Sequence, residues 1–143
     1  MLHIKQIKPL FTNILTSGNK YEEDEFEGAI LVAKKGDLKL YQTVMAVGSM
    51  VRDIKVGDKV MINPKNYAVK KYDPNSVKED LGMNSTIGYQ MPWVTIDDAE
   101  GNPQECLMLI DRDIEYVFEG EEVKEVKEAE TKLILPREKK IIN

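Results

Sequence analysis

Apolar residues along this chain fall in short runs broken by turn-forming residues, with no sustained three-to-four spacing, and that pattern predicts strands rather than helices. Residues 41–47 alternate most clearly, with Tyr41, Thr43, Met45 and Val47 on one face and Gln42, Val44 and Ala46 on the other. Gly48-Ser49 ends that strand. After a short bridge, Val56-Gly57-Asp58 reads as a tight turn feeding Lys59-Val60-Met61-Ile62, because glycine tolerates positive φ and aspartate bonds back to the backbone. Residues 67–71 alternate like a further strand. Residues 91–96 and 106–110 are strand-like runs on either side of Asp97-Asp98-Ala99-Glu100-Gly101-Asn102-Pro103, so residues 93–110 are expected to form a β-hairpin. Asp111-Arg112-Asp113 then turns the chain into a strand at residues 114–118.

Other stretches are less regular. Pro9 and the β-branched Ile4, Ile7 and Ile14 favour an extended entry over residues 2–15, with a first strand expected at residues 11–15. Ser17-Gly18-Asn19 is a turn or flexible joint. Glu22, Glu23, Asp24, Glu25 and Glu27 crowd together, and their repulsion favours an open, solvated chain or an ordinary solvated face. Gly28 and the apolar island Ala29-Ile30-Leu31-Val32-Ala33 follow, closed by Lys34-Lys35-Gly36-Asp37. Such an island is either a short strand or an adhesive patch on a loop. Residues 73–76 form a turn with helix-start potential, and residues 77–81 can form one or two helical turns. Beyond Gly120 lies a Glu/Lys/Val tail, then Leu133-Ile134-Leu135, Pro136 and a basic end. Many short strands spaced by turns point to an all-β barrel or sandwich.

Composition narrows the chemistry. The chain has 143 residues, one ordinary domain or a small one with attachments. With 20 basic and 25 acidic residues its net charge is -5, which disfavours nonspecific nucleic-acid binding, since that needs clustered Lys and Arg. Cys106 is the only cysteine and His3 the only histidine. An intrachain disulfide and a Cys/His zinc set are therefore excluded. A Ser-His-Asp or Cys-His group would depend on His3, in a segment prone to fraying. Asp97, Asp98, Asp111 and Asp113 suggest a divalent-cation site, but acids at turns are ordinarily turn formers. A G-x-G-x-x-G fingerprint is also absent. The expectation is a protein without catalytic residues, metal or cofactor. No apolar run reaches the length of a membrane span, and the start MLHIKQIKPL lacks the long apolar core of a signal peptide, so a cytoplasmic protein away from membranes is expected. Trp93 and Cys106 are expected in the core of the hairpin, whereas an exposed Trp93 would mark a partner surface.

Four segments, in order, carry a resemblance: Ile7-Lys8-Pro9-Leu10, Val44-Met45-Ala46-Val47-Gly48, Ile54-Lys55-Val56-Gly57-Asp58-Lys59-Val60-Met61-Ile62-Asn63 and Leu109-Ile110-Asp111-Arg112-Asp113-Ile114. Each is common alone, and Val-Gly-Asp-Lys-Val occurs in unrelated barrels. In this order, with a long loop between the first two, they resemble the GroES-type co-chaperonins. The resemblance spans about residues 7–118, interrupted by residues 73–105. It implies a GroES-like β-barrel over residues 1–119, a mobile loop at about residues 17–40, an inserted β-hairpin region at about residues 73–105 and a charged C-terminal tail at residues 120–143. Only a few residues separate Val47-Gly48 from Val56-Gly57, where bacterial members insert a roof hairpin, so the chain resembles the roofless phage-encoded members.

The resemblance also implies a function. A co-chaperonin caps a chaperonin (GroEL-type) ring and assists ATP-dependent folding of enclosed, unfolded protein substrates. Its mobile loop docks a short aliphatic segment into the ring, matched here by Gly28, Ile30, Leu31 and Val32. Copies pair through their terminal strands into a homo-oligomeric ring, a heptamer, which places Ile4, Ile7, Leu10, Ile114 and Val117 at the subunit interface. The location would be the cytoplasm, the host's if phage-encoded. The alternative is a GroES-like barrel reused as a structural or assembly protein, for example of a phage particle, with the insertion and tail as contact surfaces and Leu133-Ile134-Leu135 adding to a neighbour as a strand.

Overall fold

The computed structural model describes residues 1–72 and 85–123. The chain divides into two units, one of Met1–Asn19 with Lys39–Phe118, the other of Lys20–Leu38 with Glu119–Asn143. The expected helical turns at residues 77–81 and the apolar Leu133-Ile134-Leu135 lie outside the described residues.

Among its described residues the first unit is built of β-strands, with two short 3-10 turns at Pro64–Tyr67 and Asp111–Asp113. Its main element is an open, six-stranded antiparallel sheet made of β1 (Asn13–Ser17), β4 (Tyr41–Val47), β5 (Lys59–Ile62), β8 (Trp93–Asp97), β9 (Pro103–Ile110) and β10 (Ile114–Phe118). The strand order is β10-β5-β4-β1-β9-β8. A separate ribbon pairs β6 (Ala68–Tyr72) with β7 (Ser85–Tyr89). Among the described residues, no helix is long and apolar enough to cross a membrane.

The sheet carries apolar clusters on both faces because neighbours on β1 point opposite ways. Ile14 packs with Val44 and Val60, and Val47, Val51, Ile54 and Ile114 lean on them. Leu15 packs with Ile96 and Cys106, joined by Ile7, Met45, Ala46, Val94 and Met108. β1 therefore reads as buried on both sides, with Ile14, Leu15 and Thr16 all inside.

Two sequence expectations change. First, the strict alternation of residues 41–47 fails at its middle. The register runs Leu15 to Ala46 and then Thr16 to Val44, so Met45 is an extra residue opposite β1. One extra residue exchanges the faces beyond it. Val47 consequently joins Val44 on one cluster, while Met45 and Ala46 join the other. Second, the first strand begins at Asn13 and not at residue 11, because Phe11 adopts φ 54, which no strand accommodates. The hairpin of residues 93–110 forms, with Trp93 opposite Leu107 and Asp97 opposite Pro103, and it does so as part of the main sheet. The cause is β9, which pairs with β8 on one edge and β1 on the other and buries Cys106, Leu107 and Leu109 completely.

The turn at Gly57-Asp58 forms as the sequence suggests. Gly57 has φ 96, and the Asp58 carboxylate accepts from the Lys55 N–H at 2.9 Å. Gly57 N and Val44 N donate to Val44 O and Asp58 O respectively, both at 2.9 Å, which locks the turn to β4. The short connection after β4 is closed differently. Gly48 N donates to Asn13 O and Met50 N to Phe11 O, and a Cβ on Gly48 would lie 2.2 Å from Phe11 O. Only glycine lets the backbone pass there.

Candidate functional site

Between β1 and β4 the chain leaves the first unit at Asn19 and returns at Lys39. The segment between them forms a hairpin, β2 (Glu25–Glu27) against β3 (Ile30–Ala33), with Phe26 opposite Leu31 and Glu27 opposite Ile30. Gly28, at φ 67, supplies the left-handed residue of its tight Gly28-Ala29 turn. The register slips between Glu25 and Phe26, leaving Val32 without a cross-strand residue of its own.

Backbone bonds continue from this ribbon toward the segment's ends. Asp24 Oδ1 accepts from Lys35 N at 2.8 Å, and Asp37 Oδ2 accepts from Lys34 N at 3.0 Å. Tyr21 N donates to Asp37 O, Gly36 N to Tyr21 O, and Lys20 bridges to Leu38. The residues singled out from sequence lie at the exposed end. Ile30 is 68% exposed, Val32 57% and Leu31 40%, with Phe26 at 52%. Glu22, Glu23, Asp24 and Glu27 are also exposed. The apolar island is a strand, but one in its own ribbon and outside the main sheet.

Where the chain leaves the first unit, Gln42 of β4 is only 3% exposed and fully bonded. Its Oε1 accepts from Ser17 Oγ at 2.8 Å and Asn19 N at 2.9 Å. Its Nε2 donates to Asn19 O at 2.9 Å and Lys39 O at 2.6 Å. Lys39 N also donates to Asn19 O at 3.0 Å. Sequence reasoning missed Gln42 because one polar residue on a strand looks like an ordinary solvent-facing position. Gly18 lies beside this network, and a Cβ there would be 2.5 Å from the Trp93 ring and 2.8 Å from Glu105 O. Trp93 is 38% exposed, so it is a surface residue packed over Gly18 and not the core residue expected.

The five residues expected at a subunit interface divide. Leu10 (54%) and Val117 (42%) are exposed. Ile7 and Ile114 are half-buried against the chain's own clusters. Ile4 lies in a segment without strand structure, and its carbonyl accepts from Asp97 N at the end of β8. β10 pairs only with β5 among the described residues, and Tyr116 beside Val117 is exposed.

Three of the four acidic residues weighed as cation ligands are otherwise engaged, and the fourth, Asp111, sits in the turn before β10 with its backbone N–H donating to Thr12 O. Asp98 Oδ1 accepts from Glu100 N and Asn102 N and closes the β8–β9 turn. Asp97 faces His3 at 3.3 Å. Asp113 is fully buried and accepts from Tyr67 Oη at 2.5 Å, Asn66 Nδ2 at 3.0 Å and Ile110 N at 3.1 Å. Burial first, then the hydrogen bond to Asp113 and its negative charge, push the Tyr67 phenol well above its usual range. Burial likewise pushes the Cys106 thiol up. Among the described residues, no group of three or more His, Cys, Asp or Glu side chains is placed to hold a metal ion. No family model matches this chain, and no curated protein matches it.

Proposed function

We propose that this chain is a GroES-type co-chaperonin with a short roof, which caps a chaperonin ring and encloses unfolded proteins for ATP-dependent folding. The observation that carries the reading is the β2–β3 hairpin, which displays Ile30, Leu31 and Val32 at the point in the chain where the family carries its ring-binding loop. Exposed aliphatic side chains contribute roughly 1.5–3 kcal/mol each when buried in a groove. Several weak copies around a ring then bind through multivalency and still release. The six-stranded antiparallel sheet is read as the wall of a GroES-like barrel, and copies assemble as a heptamer through β10 and the N-terminal segment. The expected location is the cytoplasm, that of the host for a phage-encoded protein. Catalytic residues and cofactors have no part in this reading.

The test is co-sedimentation with a GroEL-type ring and nucleotide. Wild type is expected to pellet with the ring in a nucleotide-dependent way, and the Ile30→Asp/Leu31→Asp variant to stay in solution. If both pellet equally, or neither does, the reading fails. A second reading, a GroES-like barrel serving as an assembly protein, is favoured by the exposed Trp93 on β8 and by Tyr116 and Val117 on β10. It predicts self-assembly without ring binding.

A further inference from the structure

A buried amide is costly unless all its hydrogen-bonding capacity is used. Gln42 meets that condition through Ser17 and both ends of the hairpin segment: Asn19 is the last residue before Lys20–Leu38, and Lys39 the first after it. The side chain is thus a non-covalent cross-link across the mouth of the loop. From that cross-link, hydrogen bonds continue through Lys20–Leu38, Tyr21–Asp37 and Lys35–Asp24 to β2 and β3. A two-stranded ribbon alone is marginal in water, and bringing the ends of a flexible segment together opposes its formation. Gln42 meets that closure cost within the first unit, before any partner arrives.

We infer that Gln42 is a positioning residue: it closes the root of the hairpin and keeps β2–β3 formed in the free protein. The consequence for a ring partner rests on the co-chaperonin reading. In contrast to the mobile loop that the resemblance implies, Ile30, Leu31 and Val32 are offered preformed, so binding loses less affinity to ordering than a loose loop would. Gly18 supports the same root, since no larger residue fits beneath Trp93.

Amide hydrogen exchange on the free, full-length chain tests the root directly. Gln42→Glu keeps the shape and one acceptor oxygen, loses both N–H donors and sets a carboxylate oxygen against the Asn19 and Lys39 carbonyls, so it breaks the root bonds without changing side-chain volume. Exchange at Asn19, Tyr21, Gly36 and Lys39 is expected to rise about tenfold or more, while Leu107 and Leu109 in β9 stay protected. If Gln42→Glu loosens the whole sheet, Ser17→Ala, which removes one donor to Oε1, is expected to raise exchange at the same root amides by a smaller factor. Unchanged exchange at the root in these variants overturns the inference. Ring co-sedimentation of Gln42→Glu is expected to weaken about tenfold, in line with the lost preorganisation. Faster root exchange with undiminished ring binding overturns the positioning role. If wild type itself does not bind the ring, the co-chaperonin reading fails, and the exchange result alone decides whether Gln42 closes the root.

Discussion

The six-stranded sheet and the β2–β3 hairpin use the same residue types and the same antiparallel pairing, yet they treat their aliphatic side chains oppositely. Ile14, Leu107 and Leu109 are completely buried, whereas Ile30 is 68% exposed. β1 has β4 on one edge, β9 on the other and side chains packed over both faces. A ribbon of two strands has no third strand to bury what it carries. Hydrophobicity by itself therefore does not mark a core; the neighbours that a segment acquires do. Apolar residues that contribute little to folding are the ones a partner can use.

The largest effect that would break this contrast is on stability. Leu109→Ala is expected to cost about 2–5 kcal/mol, read as a lower urea midpoint. Ile30→Asp with Leu31→Asp should stay within about 0.5 kcal/mol of wild type by the same measurement. A large loss from the hairpin variant would show that the ribbon belongs to the cooperative core. Two glycines sharpen the contrast at smaller scale. Gly48→Ala forces a Cβ onto the Phe11 carbonyl and should cost about 1–3 kcal/mol of global stability. Gly28→Ala meets no atom within 4 Å but must hold φ 67. It should cost about 1 kcal/mol, confined to the hairpin, visible in the amide spectra of residues 25–33 and absent from the urea midpoint.

The smallest effect is in pH. Tyr67 is held protonated by burial and by Asp113, so its folded pKa lies above its unfolded value of 10.0. The associated stability is fully present below about pH 10 and is lost as the pH rises through the folded value. Urea midpoints of wild type should therefore fall above about pH 10 relative to Tyr67→Phe, which lacks the titrating group. Parallel pH profiles for the two proteins would remove Tyr67 as the source.

The legible part of the fold was its local grammar. The turn at Gly57-Asp58, the hairpin around Asp98 and Gly101, and the strands at residues 41–47 and 114–118 all follow from residues that bond or bend within a few positions of themselves. The bulge at Met45 was illegible, because it depends on how β1 aligns with β4 across a long stretch of chain. Trp93 was misplaced for a similar reason: whether it is covered depends on Gly18, far away in sequence. At the candidate site, Ile30, Leu31 and Val32 stood out as an apolar island between charged flanks, but Gln42 gave no signal. Lys39 is three residues away, but Ser17 and Asn19 become its partners only when β1 and β4 pair.

The sequence by itself determined that the described residues form short strands, and that the chain has one cysteine, one histidine and an apolar island in an acidic segment. Those properties depend on residue type and on local backbone preference, which do not need a fold to be expressed. The tertiary structure alone decided that β8 and β9 belong to the main sheet, that Asp113 is a buried anchor for Tyr67 and Asn66, and that Gln42 ties the two ends of the hairpin segment together. Each of those depends on strand register, and register is set by pairing between residues distant in the chain, where one position of shift exchanges the buried and exposed faces.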